Sequence, residues 1–202
     1  MLQMLLARLR KEPHLLIPAL FAWLRGWWYR IKFFLQLKRF SAGRFFRVYG
    51  PLMISGPGSV SFGDNAVVVG NGIKPVTIRT LSPKAKVIFG DHQGLNGTSI
   101  QCIERVQFGN RCAIADAYIT DSVGHSIAVD RRERSTTEES SRPVIIADNV
   151  WVSVQVVILD GVNIGENSVI AACSLVRGDV PANVMAAGNP LKIIRRLDEA
   201  EA

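Results

Sequence analysis

A parallel β-helix is the fold the sequence predicts, and three observations predict it. From Ile146 every sixth residue is β-branched: Ile146, Val152, Ile158, Ile164, Ile170 and Val176. Four positions after each of these stands a small or β-branched residue: Val150, Val156, Val162, Ser168, Ser174 and Val180. Traces of the same unit recur upstream as Phe62-Gly63-Asp64-Asn65-Ala66-Val67, Phe108-Gly109-Asn110-Arg111-Cys112-Ala113 and Phe89-Gly90-Asp91. A period of six is neither the 3.6 of a helix nor the 2 of a simple strand, and it suits short flat walls stacked coil upon coil. Three repeats make a triangular coil of about 18 residues, with the β-branched residues inward and small residues such as Ala147, Ser153, Gly165 and Ala171 near the corners. Residues 50–190 are expected to form the prism, in roughly six or seven coils.

Both ends of such a prism expose sheet edges and need covers. Residues 1–49 are read as a basic, aromatic-rich helical segment with helices near 2–11 and 19–38, and residues 191–202 as a short helix and tail. The first 50 residues carry ten Lys and Arg against Glu12 alone, whereas the remaining 152 hold 14 basic and 16 acidic side chains. Charge confined to one segment argues against a general nucleic-acid binder. The apolar run 13–24 is interrupted by Pro18 and falls short of the roughly 20 residues that span a bilayer. No small-residue cleavage site follows it, so a signal peptide is not expected. Trp23, Trp27, Trp28, Tyr29, Phe33 and Phe34 among Lys and Arg suit a helix lying in a membrane interface, with packing on the main domain as the alternative. Peripheral membrane contact through residues 1–40 is therefore an expectation.

The three cysteines, at 102, 112 and 173, are too few and too widely spaced for a disulfide framework or a paired-cysteine zinc site. Buried thiols and a cytoplasmic setting fit best, with the inner face of the membrane as the site of any peripheral contact.

The segment 143–196, "PVIIADNVW" through "GNPLKIIRR", resembles the C-terminal signature of hexapeptide-repeat acyltransferases, among them sugar and polysaccharide O-acetyltransferases and xenobiotic acetyltransferases. The resemblance extends over about 51–197. It implies an all-β, left-handed parallel β-helix, a homotrimer with sites between subunits, acetyl-CoA as donor and no metal. In this family an irregular loop follows a D-x-x-x-H segment, here Asp121 to His125, and loop 121–142 takes that place. The resemblance makes His125 the general base that removes a proton from an acceptor hydroxyl as its oxygen attacks the thioester carbonyl, a task suited to a neutral imidazole. A backbone N–H of an adjacent coil would steady the oxyanion.

Asp121 is expected to orient His125 or contact the sugar, or else to cap a turn. Asn96 and Arg131 are candidates for the acceptor site. Trp151, Ser153 and Val154, with Ala171 and Ala172, fall in the family's donor segments, where small residues let a pantetheine arm approach the backbone. Arg177, Lys192 and Arg195 are basic at positions suited to the CoA phosphates. Three departures stand out: Ser153 and Ala171-Ala172-Cys173 where glycines are usual, and Arg177-Gly178-Asp179 without a customary lysine. A glycan or lipid-linked acceptor is the leading expectation. The alternatives are a small-molecule acetyltransferase and a non-catalytic trimeric scaffold. A zinc enzyme is disfavoured, since only His92 and His125 could lie on the prism and three protein ligands are the norm.

Overall fold

A computed structural model describes residues 13–71, 73–123, 129–130 and 141–197. Three parallel sheets form the walls of a prism of about seven turns. Face 1 stacks Arg39–Ala42, Ser59–Phe62, Lys86–Phe89, Arg105–Phe108, Val144–Ile146 and Asn163–Ile164. Face 2 stacks Arg47–Tyr49, Val67–Val69, Gly94–Asn96, Ala113–Ala115, Trp151–Val152, Val169–Ile170 and Val184–Ala187, with Lys192–Arg196 at its end. Face 3 stacks Leu52–Ser55, Val76–Thr80, Ser99–Cys102, Tyr118–Thr120, Val157–Ile158 and Leu175–Val176.

The six-residue register predicts the interior correctly. Ile146, Val152, Ile158, Ile164, Ile170 and Val176 are all buried, as are Val150, Val156, Val162, Ser168, Ser174 and Val180. Parallel strands lie about 4.8 Å apart, so identical positions of successive coils meet side chain to side chain. The recurrent Phe-Gly-(Asp/Asn) has a consequence of its own. Phe62, Phe89 and Phe108 form a stack inside face 1, with ring centroids 4.3 and 4.7 Å apart and interplanar angles of 7° and 12°. Ring spacing and strand spacing agree, so the stack fits the coil pitch.

The corner between faces 1 and 2 carries a second ladder. Asp64 accepts a bond from Arg44 N at 2.7 Å, Asp91 from Asp64 N at 2.7 Å, Asn110 from Asp91 N at 2.9 Å and Asp148 from Asn110 N at 2.8 Å. The next residue in each coil turns with positive φ: Phe45, Asn65, His92, Arg111, Asn149, Asn167 and Asn183. The residue before must be small. A Cβ on Gly63 would come within 2.3 Å of the Asp91 carboxylate and one on Gly109 within 2.2 Å of that of Asp148. Gly-Asp-Asn is thus the corner's requirement written in sequence.

Three boundaries differ from expectation. The prism begins at Arg39, because Arg39–Ala42 and Arg47–Tyr49 pair in register with the following coil. Helix α1 spans Leu16–Leu35 rather than 19–38. Pro18 sits in its first turn, where the missing N–H costs no intrahelical bond. The helix ends where Leu37 adopts φ 54° and Lys38 N bonds Phe33 O at 2.9 Å. The expected helix at 2–11 lies outside the described residues. The expected C-terminal helix is a strand: Lys192–Arg196 pairs antiparallel with Val184–Ala187. All five of its residues are exposed, so no helical face there would gain burial, whereas the open edge of face 2 supplies backbone partners.

Helix α1 covers the other end. Ala22, Gly26, Tyr29 and Phe33 form its buried stripe. Arg30 donates to the carbonyls of Ala42 and Gly43, and Tyr29 Oη accepts Leu52 N at 2.9 Å, so polar groups of the first coil find partners.

Phe89 stands in the middle of the aromatic stack, so Phe89→Ala is expected to cost about 3–5 kcal/mol and Phe89→Leu clearly less, read from urea unfolding midpoints. The carboxyls of Asp64 and Asp148 are held below the ordinary carboxylate range, chiefly by the backbone N–H groups of Arg44 and Asn110. A lowered folded pKa contributes stability above the ordinary carboxylate pKa and loses it as pH falls through the lowered value. Unfolding midpoints should therefore drop below about pH 4, with a shallower drop in Asp148→Asn, which keeps an acceptor oxygen without the titration.

Candidate active site

The expected site residues separate into two groups on the prism. One group forms a column along the outer edge of face 2. The strand register places Tyr49 beside Val69, Val69 beside Asn96, and Asn96 beside Ala115. Ile114 pairs Val152, Val152 pairs Ile170 and Ile170 pairs Ala186, so the same column continues through Ser153, Ala171 and Ala187. Ala187 pairs Lys192. From Tyr49 to Ala187 each of these alternates with a buried neighbour, so the column looks outward, and Lys192 continues it on the exposed terminal strand. Five rungs of about 4.8 Å separate Asn96 from Lys192, a track of about 24 Å.

The middle of that track is built from Ala115, Ser153, Ala171 and Ala187, whose side chains project little. An elongated ligand can lie along it close to the backbone. Trp151, 53% exposed, rises from the neighbouring column. It bounds a hollow of about 220 Å³ whose floor includes Gly94, Ala113 and Ala115 and whose edge holds Asn96. Face 2 keeps this floor shallow because Gly94 and Ala113 occupy successive rungs.

Val154 and Ala172 are exposed at the adjoining corner, where Cys173 N bonds Val154 O at 3.0 Å. Cys173 is itself exposed, unlike the buried Cys102 and Cys112, and its thiol lies 3.4 Å from Gln155 Oε1. The expectation that all three thiols are buried fails there because the residue occupies a corner with φ 59°. Arg195 lies on the terminal strand opposite Met185, in the outward column of Trp151 and Val169 beside that of Lys192. Arg177 falls at the end of face 3, exposed at a different corner. Lys192 therefore extends the track, and Arg177 does not.

The second group lies at the corner between faces 3 and 1, where the excursion loop leaves the prism. Its two ends are tied together: Ser122 bridges Ser141, and Arg142 N bonds Asp121 O at 2.9 Å. Arg142 also pairs with Asp160 at 2.7 Å. Asp121 is fully buried and accepts from the backbone N–H groups of Ile103, Glu104 and Arg105 at 2.8, 2.7 and 2.8 Å. Its carboxylate is an anchor for the loop root. These bonds are of the capping kind the sequence offered as one reading, and the expected partner His125 lies outside the described residues. Desolvation, with the Asp121 charge next, drives the neighbouring Cys102 thiol pKa strongly upward, so this thiol is no nucleophile. His125 and Arg131 lie outside the described residues.

A larger hollow of about 520 Å³ lies at the corner between faces 1 and 2, beside His92, Arg111 and Asp148. The Asp and Asn side chains there are the corner ladder itself. Sequence reasoning identified Asn96, Ser153, Ala171 and Lys192 one by one, but missed Ala115, Ala187 and the common column; the signal was present in the register that places residue 153 and residue 171 eighteen apart.

Asp121→Ala leaves three buried N–H groups without their acceptor. A loss of about 3 kcal/mol or more is expected, with faster amide exchange at 103–105. An unchanged midpoint would contradict the anchoring role.

The profile described as bacterial transferase hexapeptide (six repeats) matches residues 143–178. The galactoside O-acetyltransferase of Lactococcus lactis is 32% identical over 148 residues, 73% of this chain and 61% of the relative. That of Escherichia coli is 40% identical over 96 residues, 48% of this chain and 46% of the relative. The chain thus spans roughly half to three-fifths of the length of these curated relatives. Among solved structures, a hexapeptide-repeat acetyltransferase from Vibrio cholerae O1 biovar eltor, complexed with acetyl coenzyme A, superposes with a TM-score of 0.53 at 26% identity. The match covers 85% of this chain and 79% of that one. The chain's six-residue columns, its β-helix and the matched profile over 143–178 identify hexapeptide repeats of the kind these transferases carry.

Proposed function

We propose that the protein is an acetyl-CoA-dependent O-acetyltransferase whose acceptor is a sugar hydroxyl of a surface or lipid-linked glycan. The observation that carries this reading is the outward column from Asn96 to Lys192. A CoA-like donor is long, flexible and anionic at one end. A track of small side chains about 24 Å long, with a lysine at one end and an amide at the other, matches that polarity. Lys192 would meet the phosphates by charge-assisted bonds. The pantetheine arm would run over Ala187, Ala171 and Ser153, and the thioester would arrive near Ala115 and Asn96, beside the hollow under Trp151. Asn96 would then bond the acceptor.

His125 is proposed as the base. Its imidazole takes the hydroxyl proton while the acceptor oxygen attacks the thioester carbonyl. The tetrahedral intermediate collapses with CoA as the leaving thiolate, and the proton passes from the imidazolium to that sulfur. The loop that carries His125 is rooted one prism face away from Asn96, at the opposite end of Tyr118–Thr120. A second copy that brings its loop root against face 2 would unite base and track, which favours an oligomer with sites between subunits; a homotrimer is the proposed form. The two galactoside O-acetyltransferases among the relatives support a sugar hydroxyl as the acceptor class.

The test is acetyl-CoA binding and hydrolysis, followed by acceptor screening. Wild type should bind and turn over slowly, and His125→Ala should bind equally with turnover reduced by at least about 100-fold. Lys192→Ala should weaken binding without changing the maximal rate. Failure of the wild type to bind would leave the scaffold reading in its place.

A further inference from the structure

Helix α1 presents an unpartnered apolar face. At about 100° per residue, its buried stripe of Ala22, Gly26, Tyr29 and Phe33 points at the prism. The outward half of the cylinder then holds Leu16, Ile17, Leu20, Phe21, Trp23, Leu24, Trp27, Trp28, Ile31, Phe34 and Leu35. These eleven are 36–77% exposed, and no charged residue stands among them. Arg25 and Lys32 flank this half on one side and Arg30 on the other. A contiguous face of this size marks an interaction surface.

Charge identifies the occupant. Residues 13–50 contain seven Lys and Arg and no Asp or Glu. A second copy would bring two such ends together, like charge against like. Residues 1–11 are also basic, with Arg8, Arg10 and Lys11 and no acidic residue. Neither complements the rim. An anionic bilayer surface complements both features, taking aromatic and aliphatic side chains into its interface and basic ones at its headgroups. No helix among the described residues is long and apolar enough to cross a membrane, so the helix would lie in the interface plane.

We infer that the α1 end of the prism docks flat on an anionic lipid surface, with the prism axis rising from it. The column on face 2 fixes what this does. Tyr49 belongs to the first coil under α1, and Asn96 lies two rungs below it, about 10 Å. Lys192 is at the far end. Docking therefore holds the Asn96 end of the track toward the lipid and the Lys192 end toward the solvent. Resting on the proposed function, this geometry sets the acceptor site within reach of a sugar carried on a lipid, while soluble donor enters from the opposite end.

The experiment is flotation of the full chain with vesicles of phosphatidylcholine alone or with about one-third phosphatidylglycerol. Binding should require the anionic lipid and fall with salt. Leu24→Glu/Ile31→Glu should weaken it by at least about tenfold, and Arg25→Ala by about fivefold. Both variants should unfold at the wild-type midpoint, since the substituted side chains are exposed. Absence of flotation, flotation indifferent to Leu24→Glu/Ile31→Glu, or a change in sedimentation of that variant with no vesicle binding would each overturn the inference; the last would make the face a contact between copies. His125→Ala should float like wild type, so loss of turnover and loss of docking remain separable.

Discussion

The rung spacing of parallel strands governs this protein. Every coil must rise by one interstrand distance, about 4.8 Å, so that its backbone groups bond the coil before and the coil after. Once that rise is set, like positions fall into columns, and each column must be filled by residues that tolerate their own kind at that distance. Ile and Val do so on pleated walls. Phe62, Phe89 and Phe108 do so as stacked rings. Asp64, Asp91, Asn110 and Asp148 do so by each accepting a backbone N–H from the coil before. A like-charge column of carboxylates would repel; the N–H groups that hold the ladder also favour the ionised form of Asp64 and Asp148, and Asn110 interrupts it.

The same rise builds the proposed site. Outer positions of face 2 obey the column rule as strictly as inner ones, so a run of small residues in register becomes a continuous strip. The departures from the usual glycines matter less on this account than their positions. Ser153 and Ala171 add one or two atoms to the strip without blocking it, and neither turns with positive φ. The residues that do turn at this corner are Gln155 and Cys173, one position beyond Val154 and Ala172. The loop at 121–142 is the one large departure from the column rule among the features discussed. Asp121 makes it tolerable by gathering the backbone N–H groups of the preceding corner, and Arg142 by pairing with Asp160 in the next coil.

The two ends of the solenoid are closed by different means. At the start, α1 lays a narrow stripe of small and aromatic side chains on the first coil and uses Arg30 and Tyr29 to satisfy exposed backbone groups. At the finish, Lys192–Arg196 turns back and pairs antiparallel with face 2. Its adjacent Ile193 and Ile194, flanked by Lys192, Arg195 and Arg196, give no buried stripe, and the backbone bonds to the open edge decide its conformation. One end is thus apolar with a basic rim and the other is a charged strand edge, which gives the column between them a direction.

The periodicity of Val, Ile and Phe was legible without coordinates because column filling is a local, repeated constraint: each residue repeats the demand of the one a coil before. The recurrence of Phe-Gly-(Asp/Asn) was legible for the same reason, although its place at a corner came from the structure. Three matters were decided only by the tertiary structure. The prism starts at Arg39 because Arg39–Ala42 finds partners in Ser59–Phe62, a pairing that no six-residue copy announces. The segment after Pro190 is a strand because an unpaired sheet edge is waiting for it. Asp121 is an anchor because three backbone N–H groups from a coil about 17 residues earlier converge on its buried carboxylate. A repeat can be read from one chain in sequence; what covers its ends and what fills the space beside its loop depends on groups brought together from distant positions.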